Sequence, residues 1–145
     1  MPPSGSEPRP APRLDRIDHI HLYVADRARA EAWYAQVMGL ARVEALAFWA
    51  AGGGPLTLAD AHGAVHLALF ERAAQPCRST IALGCSAEAF MAWRSHLTQH
   101  LGREPKPVDH AVSWSLYFED PDGNPFEITC HEHAALRARM VAADG

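Results

Sequence analysis

Basic residues are scarce: 13 Lys and Arg stand against 17 Asp and Glu, a formal charge of −4, and no basic run or stripe interrupts the chain. A surface for phosphate backbones is therefore excluded, and no nucleic-acid partner is expected. Cysteine is almost absent. Cys77, Cys85 and Cys130 are odd in number and contain no CxxC pair, so neither a disulfide framework nor a zinc knuckle can be built from them, and a reducing cytoplasm is the expected compartment. No apolar run approaches the roughly 20 residues of a membrane span, and the opening Met1-Pro2-Pro3-Ser4-Gly5 carries no apolar signal core. The chain is expected to be neither secreted nor membrane-bound.

Apolar residues are plentiful, at 48% of 145, enough for one domain with a core of its own. Pro2, Pro3, Pro8, Pro10 and Pro12 crowd the first 13 residues, where so little can be buried that a disordered tail over 1–13 is expected, with the domain occupying 14–145. From Ile17 the pattern alternates: Ile20, Leu22 and Val24 on one face, His19, His21 and Tyr23 on the other. Asp26 is placed to cap a helix over 27–38, with Ala30, Trp33 and Val37 on one stripe and Gly39 at its end. Strands are predicted over 42–49 and 55–59 around the Gly52-Gly53-Gly54-Pro55 loop, and a third over 64–70.

The order then repeats. A strand over 79–85 leads to a cap at Ser86 and a helix carrying Phe90, Trp93, Leu97 and Leu101; residues 103–111 are irregular; strands over 113–118 and 125–130 flank Asp120-Pro121-Asp122-Gly123-Asn124, a hairpin turn by its Pro and Gly. A short helix is expected over 134–140. The chain thus reads as an α+β fold of two βαβββ modules, about 14–72 and 76–133, forming a curved, cup-like mixed sheet with helices outside.

Aligning the first strands sets an offset of 61 residues, the step from Val24 to Cys85. The same step pairs His66 with Glu127 and His19 with Thr80, so a pseudo-twofold would gather His19, His66, Thr80 and Glu127 on one sheet surface. Two imidazoles and a carboxylate make an open facial triad suited to Fe(II), with Mn, Zn or Ni as alternatives.

Asp18-His19-Ile20 opening a strand, and Tyr117-Phe118-Glu119-Asp120-Pro121-Asp122-Gly123-Asn124-Pro125-Phe126-Glu127 near the end, resemble the vicinal oxygen chelate superfamily of glyoxalases, bleomycin- and fosfomycin-resistance proteins and extradiol dioxygenases, over about residues 14–133. The resemblance implies metal ligation by His19 and Glu127, with His66 at a ligand position used by glyoxalases; Thr80 stands where many members have His, and His21, two residues from His19 on the same face, is an alternative ligand to it. It also implies catalytic roles for Tyr117, ten residues before the carboxylate, and for His110 or His21 as proton carriers.

The expected activity is that of a metal-dependent small-molecule enzyme chelating vicinal oxygens. Extradiol-type ring cleavage stands ahead of a glyoxalase-like lyase or isomerase, and a metal-free binding protein of the bleomycin-resistance type is the rival that Thr80 supports. By analogy the expected assembly is a homodimer. His96 and His100 lack the intervening Glu of an HExxH pair and read as surface; His131, beyond the last strand, is a candidate for the cavity mouth.

Overall fold

A computed structural model describes residues 11–145; most of the expected 1–13 tail lies outside the described residues. Two four-stranded sheets form, in the orders β1-β4-β3-β2 and β5-β8-β7-β6. The first contains β1 (Ile20–Val24), β2 (Ala41–Arg42), β3 (Leu56–Ala59) and β4 (His66–Glu71); the second contains β5 (Ile81–Gly84), β6 (Val108–Asp109), β7 (Trp114–Glu119) and β8 (Pro125–Cys130). In each sheet the first and last strands pair parallel and the others antiparallel, so the chain is a repeated βαβββ module as the sequence predicts. The sheets do not join: β1 and β5 remain edge strands.

The crossover of the first module is α1 (Arg27–Trp33), where the Asp26 carboxylate accepts from Arg29 N–H. Its last turn widens into a π-helix, Tyr34–Met38, closed by Gly39 at φ 67 with Leu40 N–H returning to the Tyr34 carbonyl. The segment expected as a strand over 42–49 is largely helical. Only Ala41 and Arg42 pair with β3, after which a 3₁₀ turn, Glu44–Leu46, and α2 (Phe48–Ala51) follow. Ala- and Leu-rich sequence favours helix over strand here, and the Arg27 guanidinium satisfies the Ala50 and Gly54 carbonyls at 3.2 and 3.0 Å.

The second module carries α3 (Ala87–Leu101), capped by Ser86, and α4 (His133–Asp144), which is longer than expected. Its N-terminal Ala87 amide donates to Glu132, which ties the start of α3 to the end of β8. No helix among the described residues is long and apolar enough to cross a membrane.

One core joins the modules, and it lies on their helix-covered faces. Leu22, Val24, Leu58, Leu67 and Leu69 of the first sheet and Leu116, Phe126, Ile128 and Cys130 of the second share one buried cluster with Ala30 of α1, Phe90 and Leu97 of α3 and Leu136 of α4. Across the junction the Tyr34 ring stands edge-on to Phe126 at 5.9 Å and Trp33 lies 6.5 Å from Phe118. His96, expected at the surface, is half-buried instead, with its Nε2–H donating to the Gln36 and Val37 carbonyls that the π-turn leaves free. Tyr34 reaches further, donating its hydroxyl to the buried Asp120 carboxylate of the hairpin turn at 2.5 Å.

Candidate functional site

Strand alternation puts the chemistry on the other face of each sheet, away from the helices. On the first sheet this face holds His21 and Tyr23 of β1, Ala68 and Phe70 of β4 and Thr57 of β3, with His66 at the start of β4 and His19 immediately before β1. On the second it holds Glu127 and Thr129 of β8, Ser115 and Tyr117 of β7 and Ala82 and Gly84 of β5, with Thr80 just before β5.

His19 is oriented by its neighbours. Asp18, which can only accept as a carboxylate, lies 2.8 Å from His19 Nδ1 and so fixes the proton there. The lone pair is left on Nε2, which faces His21 Nε2 at 2.9 Å. The His19 and Arg16 hydrogen bonds hold the Asp18 carboxyl below its ordinary pKa. His21 rests on the Phe70 ring at a centroid distance of 4.9 Å, and the Arg72 guanidinium caps Phe70 and Tyr23, 5.3 Å from each ring. A cavity of about 470 Å³ opens beside His21, bordered by Tyr23, Pro76, Cys77, Arg78 and Asn124.

Glu127 occupies the middle of a cross-strand row, with Tyr117 on one side and Ala82 on the other. The buried Ser115 hydroxyl donates to its Oε1 at 2.5 Å, leaving the other carboxylate oxygen open. Tyr117 OH lies 3.0 Å from His110 Nε2, so the pair expected from the resemblance is in contact although His110 comes from the loop after β6. Tyr117 is 40% exposed, which leaves that hydroxyl accessible to a ligand.

The strand registers alter the internal correspondence. His21 stands across from Ala68 and Ala82 across from Glu127, so with the first strands matched at the 61-residue step the counterpart of Glu127 is Ala68. His66, paired with Ala59, corresponds to Pro125, paired with Glu119. A two-residue slip keeps every side chain on its face, which is why alternation alone did not register it. His66 makes no side-chain hydrogen bond among those described, and its ring lies beside Gly63, where an added Cβ would stand 3.9 Å from His66 Cε1.

Among the described residues no three His, Cys, Asp or Glu side chains come close enough to share an ion. His19 and His66 belong to one sheet and Glu127 to the other; the modules meet through the helix side and through the β7–β8 turn, where Asp122 accepts from Ala25 N–H and Asn124 Nδ2 donates to the Tyr23 carbonyl. Sequence reasoning missed Ser115 as the donor to Glu127, and it missed the contacts that Asp120 and Asn124, read only as turn residues, make beyond their own turn. Asp120 accepts from Tyr34 OH, Asn124 Nδ2 and the Asp122 and Asn124 amides, while Asn124 Oδ1 accepts from Cys77 N–H. Elsewhere, His133 Nε2–H donates to Asp109 at 2.6 Å and lowers that carboxyl's pKa, while His131 is exposed just beyond β8. Burial pushes the Cys85 thiol up to about 11, unsuited to a nucleophile.

Comparison with known proteins agrees with this architecture. No curated protein matches the chain at a significant level. Among solved structures, a glyoxalase/dioxygenase from Nostoc punctiforme superposes with a TM-score of 0.64 at 20% identity, covering 87% of this chain and 98% of its own. The fosfomycin resistance protein FosX from Listeria monocytogenes, solved with Mn(II) and sulfate, gives 0.60 at 16% identity, covering 88% and 99%. A virulence protein from Salmonella typhimurium gives 0.55 at 26% identity, covering 82% and 98%. The family model described as Glyoxalase/Bleomycin resistance protein/Dioxygenase superfamily matches residues 16–128, a span that runs from before β1 into β8 and includes Glu127, and the chain belongs to that superfamily.

Proposed function

We propose that the chain is one subunit of a homodimeric, metal-dependent enzyme that chelates two adjacent oxygens of a small molecule, with extradiol-type ring cleavage as its reaction and Fe(II) as its metal. The observation that carries this reading is the Tyr117–His110 contact of 3.0 Å in the row beside Glu127. It sets a phenol and an imidazole, an orienting group and a proton acceptor, next to a carboxylate with one free oxygen.

The donor chemistry fits a divalent ion. The Asp18-fixed tautomer presents a nitrogen lone pair at His19 Nε2, Glu127 presents an oxygen, and a second imidazole on the first sheet, His66 in the sequence reading, completes a facial set. A bound ion supplies Lewis-acid polarisation of the two substrate oxygens; Mn, Zn and Ni satisfy the same donors. Tyr117 then orients a substrate hydroxyl, and His110 accepts its proton, with His21 as the other imidazole in reach of the cavity. The division of the donors between the two sheets supports a dimer. Each polar face is left open by modules joined through their helices, and β1 and β5 are unpaired edges, so a second copy supplies the facing sheet.

The separation of the donors within one chain, together with Thr80, favours one rival, a metal-free small-molecule binder. Metal analysis of protein purified without chelator, and of its His19→Ala and Glu127→Ala variants, separates the two: the enzyme reading expects bound metal that both substitutions deplete. Anaerobic Fe(II) loading followed by oxygen uptake with a panel of catechols tests the reaction. Uptake that falls about 10²-fold in Tyr117→Phe supports ring cleavage. Metal retention without oxygen uptake, but with isomerisation of a hemithioacetal, would move the assignment to the glyoxalase type.

A further inference from the structure

We infer that His21, and not His66, is the second imidazole ligand of the metal centre, so that one strand, β1, contributes both nitrogens through an i, i+2 pair. The inference rests on the metal-dependent reading above and names a ligand within it: His21 takes the place given there to His66, and His110 is left as the sole proton acceptor.

Thr80, the counterpart of His19, offers a hydroxyl in place of an imidazole, and Ala68, the counterpart of Glu127, offers nothing. The positions that the twofold relates therefore supply only His19 and Glu127. His21 makes good the deficit from where it already stands. Its Nε2 is 2.9 Å from that of His19. That is the separation of an N–H···N hydrogen bond, and it already brings the two ring nitrogens close enough for one ion to be held by both.

The surroundings preorganise the pair. Asp18 sets the His19 tautomer, and Phe70 supports the His21 ring at 4.9 Å. Without an ion, the Nε2 proton of His21 bridges to the His19 lone pair. On ligation that proton is transferred to His21 Nδ1, which faces no carboxylate among the hydrogen bonds described, so no net proton is lost. His66 lies beside the β3–β4 turn at Gly63 and hydrogen-bonds neither His19 nor His21.

The test uses the full-length protein loaded with Cu(II) or Zn(II). Pulsed EPR of the Cu(II) form counts coordinated imidazoles, and calorimetry with Zn(II) gives affinity, for the unsubstituted protein and for His19→Gln, His21→Gln, His66→Gln and Glu127→Gln, with thermal melts confirming that each is folded. The expected result is two imidazoles in the unsubstituted protein and one in His21→Gln, with Zn(II) affinity lowered at least tenfold, while His66→Gln keeps both imidazoles and its affinity. Two imidazoles in His21→Gln and one in His66→Gln would overturn the inference while leaving the metal centre intact. A folded, unsubstituted protein that binds neither ion would overturn the metal-dependent reading itself, and this inference with it.

Discussion

Tyr34 and Asp120 lie 86 positions apart in sequence, in different modules, and their 2.5 Å hydrogen bond is buried. Asp120 also satisfies two backbone amides of its own turn, so this one carboxylate fixes both the hairpin that precedes Glu127 and the way the modules meet. Tyr34→Phe is expected to cost about 1–2 kcal/mol in urea unfolding, because a buried acceptor loses one of its donors. The pH dependence has a definite sign. Burial, and then the charge of Asp120, push the Tyr34 pKa far above its ordinary 10.0. Below pH 10 the hydroxyl is neutral folded or unfolded and contributes no slope. Above it the unfolded chain releases the proton that the folded chain retains, so stability falls with rising pH, by up to about 1.4 kcal/mol per unit. Unfolding curves between about pH 9 and 11 should therefore be less steep with pH for Tyr34→Phe than for the unsubstituted protein; equal slopes would show that the tyrosine is not held neutral.

At the scale of elements, what was legible in the sequence was local. Asp26 and Ser86 cap α1 and α3 as their spacing suggests, and Asp120-Pro121-Asp122-Gly123-Asn124 forms the β7–β8 turn, because caps and turns are decided by side chains a few residues apart. The segment after Arg42 is helical rather than extended because its Ala and Leu residues favour helix, and the Arg27 guanidinium that steadies α2 comes from 23 residues away, beyond the reach of local pattern. His96 was misread in the same way, since its carbonyl partners belong to a π-turn that no cap or periodicity announces. The registers stayed hidden because pairing is non-local: the 61-residue step makes His66 the counterpart of Glu127, and only strand pairing puts Ala68 there. The turn itself gives a direct test. Gly123 sits at φ 83, and a Cβ there would come within 3.3 Å of Pro76 Cγ. Gly123→Ala is expected to lower stability by about 1–2 kcal/mol through left-handed strain, measured as a reduced urea midpoint with an unchanged m-value.

For the whole molecule, the proposed metal centre turns on which chain would supply each ligand. Within one copy the helices join the modules, and the two polar faces belong to sheets that do not pair. A dimer in which the first sheet of each copy faces the second sheet of the other would create two equivalent centres, each with His19 from one chain and Glu127 from the other. This arrangement predicts complementation. Homodimers of His19→Ala and of Glu127→Ala should each fail to hold metal, since every centre lacks a ligand. After the two variants are mixed and allowed to exchange subunits, about half of the dimers are mixed, and each mixed dimer has one centre lacking both ligands and one with both restored. Metal content should then recover to about one ion per four chains, and the recovering fraction should elute as a dimer carrying both substitutions. If His19 and Glu127 instead met within a single chain, no exchange could restore either centre, and metal content would stay at the level of the separate variants.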